Sequence, residues 1–191
     1  MHGHDWPAAD TLVRAHVQAA RAPGGDTLAH LASDVGDPWV MVALALVSAL
    51  VLARRGARRT AVAVATVPLL SVLAFNALKL AVRRVRPAGA LAIGELRFAF
   101  PSGHATVVAA TSAVLAWALV REGLVRPRVA AAVAVGWAAL VGASRVWLDA
   151  HWASDVVAGW ALGGGLAAVG ARVVATRMAA GAPLHDRRPR E

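Results

Sequence analysis

Cysteine is absent from this chain of 191 residues, so neither a disulfide framework nor a thiolate metal site can form. Lysine is almost absent as well: Lys79 is the only one, and the other 19 of the 20 basic residues are arginine. Acidic residues number only 11. Those expected near the chemistry-bearing residues (Glu95, Asp149 and Asp155) do not make the carboxylate cluster that Mg²⁺ needs. The start, Met1-His2-Gly3-His4-Asp5-Trp6-Pro7, has no basic segment leading into an apolar core, so no cleaved signal peptide is expected. His2 and His4 are too small a ligand set for a metal site. No basic stretch is interleaved with aromatics, which argues against nucleic-acid binding.

What the chain has is apolar sequence: 58% of residues are hydrophobic and the mean hydropathy is +0.57. That is too much for a soluble domain of this length, and it comes in long runs, so the chain reads as one integral membrane domain. The net charge of +9 is concentrated in short loops between those runs, where it sets topology. The Ala/Val/Arg-heavy composition suggests a GC-rich bacterial genome. The expected fold class is all-α: a polytopic transmembrane helical bundle of about five spans, preceded by short N-terminal interfacial helices. Residues 1–35 are expected to lie at the membrane surface, 36–176 to form the transmembrane domain, and 177–191 to be a basic, disordered cytoplasmic tail.

The first span is expected from Pro38 to Ala53, short enough that it either starts earlier or tilts little, with Trp39 in the interfacial belt. The second runs from Thr60 to Val82 and contains Pro68, a possible kink, and Asn76, which needs a partner. The third, fourth and fifth cover Pro101–Val120, Val129–Ser144 and Asp155–Thr176. Gly159, Gly163 and Gly164 on the fifth read as helix-packing positions. With five spans, Arg54, Arg55, Arg58, Arg59, the Arg121–Arg128 loop and the tail fall on one side, which the positive-inside rule makes cytoplasmic. Three polar clusters then meet on the extracytoplasmic side.

The first cluster is Ser144-Arg145 followed by His151 and Asp155. On a helix, a histidine and an aspartate four apart share a face, and the carboxylate fixes the imidazole tautomer and raises its basicity. The second is Lys79 with Arg86-Pro87; a continued helix would align Lys79, Arg83 and Arg86, with Pro87 stopping it. Cations on the side away from the topology-setting loops imply an anion to bind. The third is Pro101-Ser102-Gly103-His104, where Ser102 can cap a helix, Gly103 admits close approach, and the helix start favours an anion beside His104. Snorkelling cations and an ordinary N-cap are the plainer readings of each cluster taken alone. Together the clusters supply cations, a helix N-terminus, two histidines and a carboxylate. Such a set suits phosphoryl transfer without a metal, one histidine attacking phosphorus and the other protonating the leaving oxygen.

Lys79-x6-Arg86-Pro87, Pro101-Ser102-Gly103-His104 and Ser144-Arg145-x5-His151-x3-Asp155 resemble the three signature motifs of the type 2 phosphatidic acid phosphatase (PAP2) superfamily. That superfamily takes in lipid phosphate phosphatases, undecaprenyl-diphosphate phosphatases and vanadium-dependent haloperoxidases. The resemblance covers Lys79 to Gly164. It implies that His151 is the nucleophile, forming a phosphohistidine, that Asp155 orients it, and that His104 is the general acid and then the base that activates water. It implies that Lys79, Arg86, Ser102, Gly103 and Arg145 hold the phosphate oxygens, and that no metal or other cofactor is needed. Arg83, Arg84, Arg97 and Asp149 lie outside the motifs; Arg83 and Arg97 are candidates for a second phosphate or for a plain surface role. Many membrane members have six spans, whereas five are expected here.

The implied function is removal of phosphate from a lipid or polyprenyl phosphate or diphosphate at the outer face of the cell membrane. Phosphatidic acid, phosphatidylglycerophosphate, undecaprenyl diphosphate and a phosphorylated decaprenyl sugar are all open as substrates, as is the oligomeric state. Two alternatives are a non-catalytic lipid-phosphate binder or transporter, which would not need the paired histidines, and a haloperoxidase, a branch that is typically soluble.

Overall fold

The computed structural model describes residues 8–87 and 98–180, with side chains through residue 176. His2, His4, Glu95, Arg97 and the tail beyond residue 180 lie outside the described residues. Within them the chain forms seven helices: α1 (Ala8–Ala19), α2 (Gly25–Val35), α3 (Pro38–Arg54), α4 (Arg58–Val82), α5 (Gly103–Arg121), α6 (Pro127–Trp147) and α7 (Ala153–Ala180). No strand is present among the described residues beyond a single antiparallel bridge between Val85 and Phe98.

Four helices, α4 to α7, are each long and apolar enough to cross a membrane, and α2 with α3 forms a fifth candidate bent by 44° at the break between them. The bend has a local cause. Asp37 caps α3, its Oδ1 accepting from the Trp39 N–H at 2.8 Å and the Val40 N–H at 3.4 Å, and Pro38 occupies the first helical position. The short first span of the sequence reading thus gains a preceding turned helix. Asn76 satisfies itself within α4, donating to the Val72 carbonyl at 2.9 Å, and α4 runs unbroken through Pro68. The last helix continues to Ala180, four residues past the predicted end.

The hub is α5, which packs against α3, α4, α6 and α7. Of its apolar window 61% is buried, against 22% for α6 and α7. Small residues make this possible: Ala105, Ala110, Val107, Val108 and Val114 of α5 are fully enclosed. On α7, a Cβ at Gly163 would stand 2.2 Å from the Thr106 carbonyl oxygen, and one at Gly159 would stand 2.9 Å from that of Ser102. Both glycines serve the close approach predicted for them. Gly164 does not: nothing lies within 4 Å of a Cβ placed there, and it borders an apolar cavity of about 300 Å³ beside Trp160.

The packing gives the bundle two unlike ends. Arg54, Arg55, Arg58, Arg59, Arg121, Arg126 and Arg128 gather where α3 meets α4 and α5 meets α6. The end of α4, the start of α5, the α6–α7 turn and the start of α7 meet at the other.

Candidate functional site

At that second end the eight predicted site residues converge, although two local expectations fail. The α4 helix stops at Val82, the expected end of the second span, and does not continue to Pro87. Arg83 takes a left-handed conformation (φ 52°) and its N–H returns to the Lys79 carbonyl at 3.0 Å, a helix end more often made by glycine or asparagine. Lys79, Arg83 and Arg86 therefore do not share a helix face. Arg83 is exposed and donates to the Leu80 carbonyl, while Arg86 turns inward on the following loop. Second, His151 is not on a helix: it lies in the turn before α7, which begins at Ala153. The adjacency to Asp155 survives because that turn is tight. The His151 and Ala150 N–H groups both donate to the Arg145 carbonyl, at 3.2 and 3.0 Å.

The cations are tied to oxygens of the protein, two of them to backbone carbonyls. Lys79 is 2% exposed; its Nζ donates to the Phe98 carbonyl at 2.7 Å and lies 6.0 Å from the Phe75 ring centre. Arg86 Nη1 donates to the Ala150 carbonyl at 2.9 Å, one residue from His151. Arg145 Nη1 donates to the Ser33 hydroxyl, which α2 brings in from the N-terminal segment. Lys79, Arg86 and Arg145 are each close enough to act electrostatically on both His104 and His151.

Ser102 caps α5 as predicted, its Oγ accepting from the Ala105 N–H at 3.4 Å, and its own N–H donates to the Asp155 carbonyl at 3.0 Å. That bond joins the start of α5 to the start of α7. Gly103 is packed under Phe75, whose ring atoms would stand 3.1 Å from a Cβ at that position. His104, in the first turn of α5, is buried, with Nε2 4.0 Å from Asp37 Oδ2.

His151 is 2% exposed and Asp155 fully buried. His151 Nδ1 lies 3.6 Å from Asp155 Oδ2, which also accepts from the Trp152 N–H at 2.9 Å. Neither ring nitrogen of His151 completes a well-formed hydrogen bond among the described residues. Burial first, then the charges of Arg86, Lys79 and Arg145, hold the His151 imidazole well below its ordinary pKa, against a smaller raising contribution from the Ala99 backbone. A neutral ring keeps the lone pair that a nucleophile needs.

The sequence reading left out an inner network. Arg84, 2% exposed, donates from Nη1 to Asp155 Oδ1 at 2.5 Å and to Ser154 Oγ at 2.6 Å, and from Nη2 to Asp10 Oδ2 at 2.6 Å. Its guanidinium also lies 5.5 Å from the Trp152 ring centre. Asp10 comes from α1, and Arg14, one turn on, binds Asp149 through two bonds of 2.6 Å. The only sequence signal was the spacing of Asp10 and Arg14 on one helix face; their partners lie 74 to 144 positions away.

Fold and site together define an all-helical, multi-pass membrane protein with a buried histidine–carboxylate pair among cations at one end of the bundle. A family model described as the PAP2 superfamily matches residues 60–179, well over half of the chain, and the chain belongs to that superfamily. It is 39% identical over 85 residues to phosphatidylglycerophosphatase B of Bacillus subtilis (strain 168), a match covering 43% of this chain and 42% of that protein. The chain thus spans about two fifths of the length of that curated relative. Among solved structures it resembles a transmembrane PAP2-type phosphatidylglycerolphosphate phosphatase from Bacillus subtilis, with a TM-score of 0.74, 24% identity, and 93% of this chain and 88% of that one covered. It also resembles Aquifex aeolicus LpxE, with a TM-score of 0.68, 21% identity, and coverage of 90% and 99%. At such identities the two structures speak for the shared fold.

Proposed function

We propose that this protein is a membrane phosphatase that hydrolyses a phosphomonoester or diphosphate of a lipid or polyprenyl substrate, through a phosphohistidine and without a metal, at the extracytoplasmic face. The observation that carries this reading is the convergence of His151, Asp155 and His104 with Lys79, Arg86 and Arg145 at one end of the bundle. Asp155 faces Nδ1 of His151, so Nε2 attacks phosphorus. The bond from phosphorus to the leaving oxygen breaks as His104 gives that oxygen a proton. Water then attacks the phosphohistidine, His104 takes the water's proton, the P–N bond breaks, and phosphate leaves. The three cations, with Ser102 and Gly103 at the start of α5, stabilise charge on the phosphate oxygens.

An amphiphilic substrate is supported by a cavity of about 200 Å³ lined by Pro38, Trp39, Val72, Phe75 and Asn76 as well as by Asp37, Lys79 and Gly103. It joins apolar walls to the cationic site. The outward orientation is supported by the exposed arginines at the opposite end. Phosphatidylglycerophosphate is the first substrate to try, since the curated relative is named for that activity.

The test is phosphate release by the detergent-purified protein, in EDTA, from a panel of lipid monophosphates and diphosphates, beside His151→Ala. Release that survives EDTA and is lost in the variant is the expected result. No release from any lipid by a folded protein would favour a binding or transport role.

A further inference from the structure

The α6–α7 turn that carries His151 is fastened on both sides by the same short helix. Upstream, two residues before His151, Asp149 is held by Arg14 in a bidentate pair with both bonds at 2.6 Å. Asp149 has φ 57°, a left-handed conformation rare for a non-glycine residue, so this pair holds the turn at an intrinsically unfavourable point. Downstream, three residues after His151, Asp10 takes hold of Ser154. Its Oδ1 accepts from the Ser154 N–H at 2.9 Å and its Oδ2 from the Ser154 hydroxyl at 2.5 Å. Asp10 and Arg14 are four apart and share one face of α1. The fastening reaches the carboxylate itself through Arg84, which bridges Asp10 and Asp155. With Oδ1 of Asp155 on Arg84, Oδ2 is left for the Trp152 N–H and for His151. Asp10, Arg84 and Asp155 are all at most 3% exposed. A buried network of this kind is stiff when every member is satisfied, and it cannot shift one member without disturbing the rest.

We propose that Asp10, Arg14 and Arg84 form a positioning unit that holds His151 and Asp155 in attack geometry, making α1 a working part of the catalytic centre. This rests on the phosphatase reading above. None of the three needs to touch the phosphate; they act through Asp149, Ser154 and Asp155. Partners one step removed from a reacting group commonly matter by about 10- to 100-fold, and small displacements of a nucleophile act on a similar scale.

The experiment begins with His151-dependent phosphate release by the parent protein. It then measures kcat, the inhibition constant for inorganic phosphate and the melting temperature in detergent for Asp10→Asn and Arg14→Gln. Asp10→Asn keeps the shape and removes the charge; Arg14→Gln removes a fork that is one-third exposed. The expected result is a kcat lowered about 10- to 100-fold in Asp10→Asn and about 10-fold in Arg14→Gln. Affinity for inorganic phosphate should change less than about twofold, because Lys79, Arg86 and Arg145 are untouched, and Arg14→Lys should recover only part of the loss, lacking the bidentate fork. Unchanged kcat in both variants overturns the inference. So does a parallel fall of kcat, phosphate affinity and melting temperature, or a failure of both variants to fold, since α1 would then be a structural support only. Absence of release by the parent would overturn the phosphatase reading and this inference with it, whereas an active parent with unimpaired variants overturns the inference alone.

Discussion

At the end of the bundle away from His151, seven arginines (Arg54, Arg55, Arg58, Arg59, Arg121, Arg126 and Arg128) are all exposed. At the other end Lys79 and Arg84 are each 2% exposed, and Lys79, Arg84, Arg86 and Arg145 all donate to oxygens of the protein. The same side chain thus serves two purposes. An exposed guanidinium in water loses little if it is removed and acts mainly through its average charge. A buried one is kept only with partners, because an unpaired buried charge is costly. On the proposed orientation, the first kind sets how the chain lies in the bilayer; the second fixes where individual atoms stand. Matched substitutions at the two ends test that division.

The largest contrast is expected along α5, which carries His104 in its first turn and Arg121 in its last. His104→Ala should lower kcat on a lipid phosphate by about 10²- to 10⁴-fold, the scale of general acid catalysis. Arg121→Ala should leave it unchanged. With p-nitrophenyl phosphate, whose leaving group needs less protonation, the His104→Ala loss should shrink. Equal losses on both substrates would count against His104 as the acid.

Next comes stability. Arg84→Met would leave Asp10 and Asp155 buried without their shared cation, a defect of about 3–5 kcal/mol. Arg58→Met removes an exposed charge and should stay within about 0.5 kcal/mol of the parent. Thermal unfolding of the two variants in the same detergent compares them directly; similar shifts would erase the distinction between the ends.

These contrasts also mark what could be read in the chain before its fold was known. The spans were legible because apolar runs and capping residues are local: the run from Pro38 and the Ser102 cap begin helices where they were expected, while the Asp37 cap emerged only from the structure. The eight motif residues were legible because their spacing is fixed within short segments. The network of Asp10, Arg14 and Arg84 was not. Its members pair across 70 to 144 positions, and an aspartate near a helix start looks like an ordinary favourable charge there. The end of the second span at Val82 was legible, but the helix supposed to continue through Arg83 and Arg86 to Pro87 does not form, because a left-handed arginine carries no breaker signature.

A smaller effect should show in the pH dependence of stability. Burial alone would push the Asp10 carboxyl up, but hydrogen bonds from Ser154 and Arg84 outweigh it and hold it below the usual carboxylate range. A carboxylate depressed in the folded state adds stability above its unfolded value of 3.8, and that stability is lost as pH falls through the folded value. The melting temperature of the parent should therefore exceed that of Asp10→Asn at neutral pH, and the gap should narrow as the pH drops below about 4. A constant gap would mean that the charge of Asp10 contributes nothing.

The last contrast should cost no activity at all. Because the chain has no cysteine, one introduced thiol is a unique reporter. Val85, 75% exposed on the loop after α4, and Leu124, 52% exposed between α5 and α6, lie at opposite ends of the bundle. Val85→Cys and Leu124→Cys each replace an exposed apolar side chain, so both proteins should retain parental turnover. If the exposed arginines orient the chain, a membrane-impermeant maleimide should label Val85→Cys in intact cells and Leu124→Cys only after lysis. The reverse pattern would put His151 on the cytoplasmic side and leave the chemistry intact while overturning its address. Retained turnover is what makes the result interpretable, because only a correctly folded protein can report which end faces out.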